Sequence, residues 1–540
     1  MPLPRTLAAL FATLAVTACA PGGSAPATQA AAVLRIADKG EPDTLNPLLS
    51  QQDLSYMISS LVFSYLVVAD ARGRLAGDLA TEVPSLANGG ISADGRTYTY
   101  HLRRGVRWHD GTPLTARDVR FSWQAVMNPR NDLFGRQGYE EVTAIDAPDD
   151  RTAVVHLRRR FPPFLTDFFT SLQEGAKAIV PQHVLGRYRS LNDVPFNAAP
   201  VGSGPYAFVS WRRGQRLVLA ANDAYYGGRP QIRRIELSFV PSDATILTEL
   251  RTGAIDMIAI PSPELIDQYR AVAGVRTTLR PWNYLQVLLL NNGRPGLADP
   301  AVRRALVRAI DVDAIIAKVT HGVGERAYDI LAPGTLGYSR IPPYPYDPQA
   351  ARRTLDAAGW RLGPDGVRRR GSTALAFDFA YTAGTTTGRA LAVQVQQMLA
   401  AAGFAITIKP YAYNTIYAYD GPIVTHRYDI ALSGFTMQFD PDQSVYLTCG
   451  ALRPHGENDD QYCDPAVDAG ERAGLATDDA AQRARIYASV SRRLHDTVPY
   501  VPLYLQRRIV VATGRLEGYD PPPTVGAWGG AQRWRLRPGP

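Results

Sequence analysis

The sequence predicts an α/β fold with mixed sheets, and three observations lead to it. The chain has 540 residues, which at roughly 150 residues per domain allows three or four cores. Short alternating segments that suit strands recur between segments of helical period along its whole length, as in folds where helices and strands share layers. Hydrophobic residues make up 46% and charged residues 20%, beside 46 Gly and 41 Pro, a profile that can bury cores and is neither disordered nor collagen-like.

At the start, Arg5 precedes an uncharged, mostly apolar run over 7–16 and then small residues, the layout of an export signal. The run is too short to span about 30 Å of hydrocarbon, which takes a helix of roughly 20 residues. No later run is both long enough and free of charge, so no transmembrane helix is expected. Val16-Thr17-Ala18-Cys19 resembles a bacterial lipobox, which makes 1–18 a lipoprotein signal peptide and Cys19 the lipidated new N-terminus. Conventional cleavage after Ala18 or Ala20 is the alternative. Residues 19–32, small and rich in Pro, Gly and Ser, read as a flexible tether.

Alternation predicts the first strand over 33–37, followed by the turn-rich 41–47 and a helix over 53–66. A strand is predicted over 97–102 after the Asp94-Gly95 turn, and Thr115 is an N-cap candidate for a helix through Phe121 and Trp123. A hairpin is expected over 142–157, and strands over 206–211 and 216–220 flank Arg213-Gly214. Residues 244–258 read as a short helix, a stop at Gly253 and a strand. Val302, Leu306 and Ala309 share one helical face, and Asp347-Pro348 opens a helix that ends at Gly359. Strand-helix units come next around 376–403 and 428–435, then a helix over 480–495 and a strand over 501–505.

Several chemistries are missing. The net charge is +8, but with only four lysines it is almost all arginine, scattered among acids; a nucleic-acid stripe needs clustered basic residues. The eight histidines include no i, i+4 pair, and there is no nucleophile elbow or phosphate loop. Gly202 and Gly204 precede Pro205 instead of opening a helix. The carboxylate pairs Asp440/Asp442 and Asp149/Asp150 flank prolines and read as turns. Nothing here suggests an enzyme, and no cofactor or resident metal is expected. Cys449 and Cys463 in an exported chain read as a disulfide closing a loop of about 15 residues, which contributes about 3 kcal/mol. A metal site with His455 and Asp459 or Asp460 is the less favoured alternative.

Four segments then carry a family resemblance: 94–123 (DGRTYTYHLRRGVRWHDGTPLTARDVRFSW), VGSGPY at 201–206 with YYGG at 225–228, the D-P-x-V-R-x-A-L-x-x-A-I-D of 299–311, and DPQAARRTLDAAGW at 347–360. With them the chain resembles the family 5 extracellular solute-binding proteins, the peptide- and nickel-binding components of ABC importers, over about 33–511. The resemblance implies a two-lobed periplasmic binding protein (type II, cluster C) with an extra third domain. Domain I would combine 33–72, 200–280 and 503–540; domain II would be 73–199 and domain III 281–502.

The same resemblance implies a periplasmic, lipid-anchored monomer that closes over a small peptide or peptide-like solute and delivers it to membrane permease subunits, without nucleic acid. In peptide-binding members an acidic residue three positions before the Asp-Pro turn of domain III pairs with the peptide's α-amino group. Here that turn is Asp440-Pro441 and the position holds Met437, so ammonium capture needs Asp440, Asp442 or another carboxylate. The segment carrying Phe435, Thr436, Met437 and Gln438 is expected to line the cleft, as are Trp282, Asn283 and Tyr284 after the second crossing and Glu41 and Asn46 in the first turn. Arg103, Arg104 and Arg107 are expected on a solvated strand face. Alternatives within the family are nickel or haem uptake through His455 or His426, and an opine or oligosaccharide ligand; an exported hydrolase is the reading from outside it.

Overall fold

A computed structural model describes residues 32–50, 52–133, 135–172, 175–383, 386–418, 420–452 and 456–538. The predicted signal peptide, Cys19, nearly all of the tether and His455 lie outside the described residues. Among those described, no helix is long and apolar enough to cross a membrane.

An eleven-stranded mixed sheet runs through the molecule. Its strands are β1 (Val33–Asp38), β2 (Tyr206–Arg212), β3 (Arg216–Ala221), β4 (Arg234–Phe239), β5 (Met257–Ile258), β6 (Val275–Leu290), β7 (Gly324–Arg326), β8 (Ala376–Thr382), β9 (Ala405–Tyr411), β10 (Ile430–Thr436) and β11 (Tyr500–Thr513). The spatial order is β9-β8-β10-β6-β11-β5-β1-β4-β3-β2, with β7 also on β11. β1 lies parallel to β4 and β5, whereas β6 and β11 are antiparallel. Leu34 and Ile36 of β1 are fully buried, as its apolar alternation predicts.

Two bodies share that sheet. Residues between Leu34 and Val272, joined by Val323 and 509–534, pack into one set of cores, and most buried residues between Leu285 and Tyr504 into another. The long strands β6 and β11 pass from one set to the other side by side. Sequence alternation predicted β11 only over 501–505 and no single strand over 275–290. Pro281 and the Arg507-Arg508 pair break the apolar pattern there, and the strands persist because each is the other's ladder partner. A separate three-stranded sheet, Thr97–His101, Val142–Asp149 and Thr152–Leu157, packs with the helix Ala116–Met127 against the first body. Thr115 is that helix's N-cap, and its backbone N–H donates to Asp118 Oδ2 at 2.8 Å.

The conspicuous motifs prove to be joints. His109 Nδ1 accepts from the Gly202 N–H (3.2 Å) while its Nε2 donates to the Gly204 carbonyl (3.0 Å), fixing the neutral Nε2–H tautomer. Those glycines pass against the end of the helix Asp53–Val62: a Cβ on Gly202 would stand 1.8 Å from the Val62 carbonyl oxygen, and one on Gly204 2.5 Å from that of Leu61. Asp299 caps the helix Pro300–Ala309, and Asp347 caps Pro348–Ala357. Buried Arg303 donates to the carbonyls of Leu297, Ala298, Thr497 and Val498, tying the first of these helices to the end of Ala480–Thr497.

Candidate functional site

Where β6 and β11 cross, their register breaks. Pro281 faces Arg507 and Tyr284 faces Gln506, so Trp282 and Asn283 have no opposite residues. Such a bulge turns side chains out of the ladder. The rings of Trp282 and Tyr284 stack with centroids 5.0 Å apart, and the Arg508 guanidinium lies over Trp282 at 4.8 Å. On the other flank β10 pairs with β6, opposing Tyr284 to Thr436. Gly434 makes room for Tyr284, since a Cβ there would meet its ring at 2.5 Å. Past the strand end the Met437 N–H donates to the Asn283 carbonyl at 2.7 Å. The expected residues Trp282, Asn283, Tyr284, Phe435 and Thr436 are thus gathered at the crossing.

The two bodies also touch beyond it. A Cβ on Gly73 would lie 3.5 Å from Pro523 and 3.6 Å from Phe439. Arg160 and Asp478 form an ion pair at 2.9 Å across the same junction.

The other expected residues are held differently. Met437 is 1% exposed and packs with Leu285 and Val287, so its thioether faces the core. Both oxygens of Asp440 are bound by Arg483, at 2.7 and 2.8 Å, with both side chains buried. Burial, together with neighbouring carboxylates, pushes Asp442 and Glu471 up from the usual carboxylate range. Gln438 is buried with its Nε2 3.5 Å from the Tyr446 hydroxyl. Glu41 accepts from Trp211 Nε1 and the Gly214 N–H, both at 2.9 Å. Asn46, 1% exposed, donates to Asn197 Oδ1 and accepts from the Leu48 N–H. Arg104 and Arg107 are exposed, but beyond the strand Thr97–His101 and not on its face, and Arg103 donates to the carbonyls of Gly77 and Asp78.

Two charged residues at the crossing were not singled out from sequence. Arg508 donates through Nη2 to the Thr524 carbonyl at 2.8 Å, and burial pulls its pKa down. Asp53, the first residue of the helix Asp53–Val62, feels the Arg508 charge while burial pushes its pKa up. The one available signal was an Arg-Arg pair at the end of an apolar strand pattern; Asp53 was legible only as the start of a helix.

Cys449 and Cys463 are disulfide-bonded, as expected. Among the described residues no three His, Cys, Asp or Glu side chains group as a metal site. His426 holds the Asn291 amide through its backbone carbonyl.

Two bodies joined by paired crossing strands, with aromatic and charged side chains at the junction, define a two-lobed periplasmic binding protein. Residues 77–453 match the model of the bacterial extracellular solute-binding proteins, family 5 (Middle), and the chain belongs to that family. Protein XP55 of Streptomyces lividans is 31% identical over 524 residues, 96% of this chain and 92% of XP55. The oligopeptide-binding protein AppA of Bacillus subtilis is 26% identical over 491 residues, 89% of this chain and 87% of AppA. The structure of NikZ from Campylobacter jejuni, in complex with Ni(L-His), superposes with a TM-score of 0.78 at 25% identity, covering 93% of this chain and 99% of NikZ. As a member of that family the chain is an extracellular solute-binding protein and not an enzyme.

Proposed function

We propose that this protein captures peptides or peptide-like solutes between its lobes and presents the closed, loaded form to an ABC permease, as a monomer held at the membrane by lipid on Cys19. The reading rests on the β6–β11 crossing, where stacked Trp282 and Tyr284 and the Arg508 guanidinium offer both apolar faces and hydrogen-bond donors. AppA's description as an oligopeptide-binding protein favours the same solute class. Domain I is assigned to 33–72, 200–280 and 503–540, domain II to 73–199 and domain III to 281–502. A solute touching both lobes binds the closed state more tightly and shifts the population toward it, a change that a permease can sense. The test is native mass spectrometry of mature protein purified from its host, before and after denaturation, with thermal-shift screening of peptide pools. A released or stabilising peptide supports the reading; a released sugar or metal complex, with no response to any peptide pool, overturns it.

A further inference from the structure

Resting on the solute-binding reading and deepening it, we propose that Asp53 and Arg508 are the two charged poles of the solute site, with Trp282 as its floor. Asp53 takes the ammonium of a zwitterionic solute and Arg508 its carboxylate.

The geometry comes from three elements. Arg508, on β11, reaches across to the Thr524 carbonyl at 2.8 Å, and the next residue, Val525, packs on Tyr56. Tyr56 lies three residues after Asp53 on the same helix, and residues so spaced are surface neighbours. The segment 524–525 therefore brings Arg508 and Asp53 to one place. They feel each other's charge, yet among the described residues no ion pair joins them. Neither is locally sealed: the Asp53 side chain is exposed and Arg508 partly so, although both lie deep enough for burial to disfavour their charges.

Hydrogen-bonding capacity is left over at both poles. Asp53 has no hydrogen-bond or ion-pair partner among the described residues, while Arg508 Nε and the Trp282 indole N–H are buried without an acceptor among them. Buried donors without acceptors are costly until a ligand supplies them, and the exposed Asp53 carboxylate is open to a ligand without first breaking a protein contact. An ammonium suits Asp53, and a carboxylate suits Arg508 with the indole N–H beside it. Met437 faces the core and Asp440 is taken by Arg483, so this assignment supplies the ammonium partner that the turn at Asp440-Pro441 does not.

The test uses mature protein and three probes made from one mixture of dipeptides, whose two termini are close together: untreated, N-acetylated and methyl-esterified. Binding is read by isothermal titration and by native mass spectrometry of retained species. Wild-type protein is expected to retain untreated peptides and to bind the acetylated and esterified pools about 10- to 100-fold more weakly, the value of a charge-assisted hydrogen bond. Asp53→Asn should lose the discrimination against acetylation and keep that against esterification; Asp53→Glu should restore it. Arg508→Lys, which retains a charge and a donor, should weaken carboxylate discrimination alone. Asp53→Asn is a near-isosteric change at an exposed position, so its result stands even where Arg508 variants fold poorly. Retention of untreated peptides with full discrimination by Asp53→Asn overturns the assignment of Asp53 while leaving the solute-binding reading intact. Failure of wild type to retain any untreated peptide overturns the two-pole assignment, while the solute-binding reading stands or falls on what host-purified protein releases.

Discussion

Replacing Arg483 by methionine tests whether the Asp440-Pro441 turn is a structural joint or part of the solute site. Asp440 and Arg483 form a two-pronged ion pair at 2.7 and 2.8 Å, with both side chains 7% exposed. Arg483 Nε also donates to the Gly474 carbonyl at 3.0 Å. Methionine keeps much of the stem's packing but leaves Asp440 buried beside Asp442 and Glu471 with no counter-charge. Removing one partner of a buried pair costs about 3–5 kcal/mol. At about 2.1 cal/mol/K per residue, roughly 500 residues unfolding together have an entropy near 1 kcal/mol/K, so Tm should fall by about 4 °C, and by about twice that where one lobe melts alone. Differential scanning calorimetry at pH 7 reads this directly. Adding Asp440→Asn to Arg483→Met should recover part of the loss, a coupling that a double-mutant cycle measures. An Arg483→Met variant that melts like wild type refutes the argument, as does an Asp440→Asn variant that keeps its Tm and loses all peptide binding.

Cys449→Ser should cost about 3 kcal/mol by freeing the loop between residues 14 apart in sequence; a Tm insensitive to both this change and reductant would show that the bond constrains nothing. Gly202→Ala should give no soluble folded protein, because its Cβ would stand 1.8 Å from a backbone oxygen; a normal circular-dichroism melt would contradict the packing. Burial depresses the pKa of His109, so the folded state binds fewer protons there than the unfolded chain. Its contribution is complete above the unfolded value of about 6.5 and is lost as pH falls below it. The Tm difference between wild type and His109→Gln should therefore narrow from pH 7 to pH 5, and a difference independent of pH would exclude the neutral, hydrogen-bonded ring. Gly434→Ala should displace the Tyr284 ring, which a Cβ would meet at 2.5 Å, and weaken peptide retention while Tm changes little; unchanged retention would remove Tyr284 from the site.

Local chemistry made much of this protein readable from sequence. Asp299-Pro300 and Asp347-Pro348 announce helix starts because an aspartate caps free N–H groups and a proline lacks the one it would waste. Gly253 ends its helix in the left-handed conformation at φ 71°, where glycine carries no Cβ penalty. The strands of 97–157 follow from alternation, and the disulfide from two cysteines close together in an exported chain. The family motifs were equally visible, although their meaning was not: His109, Gly202 and Gly204 are joints between distant segments, and nothing local says so. Only the tertiary structure decided the length of β6 and β11, since Pro281, Arg507 and Arg508 have no reason to lie in strands until each strand finds the other. Tertiary pairing likewise settled which acids are spoken for. Whether Asp440, Glu41 or Asp53 keeps a free carboxylate depends on residues 43, 170 and 455 positions away, a separation at which sequence carries no geometric information.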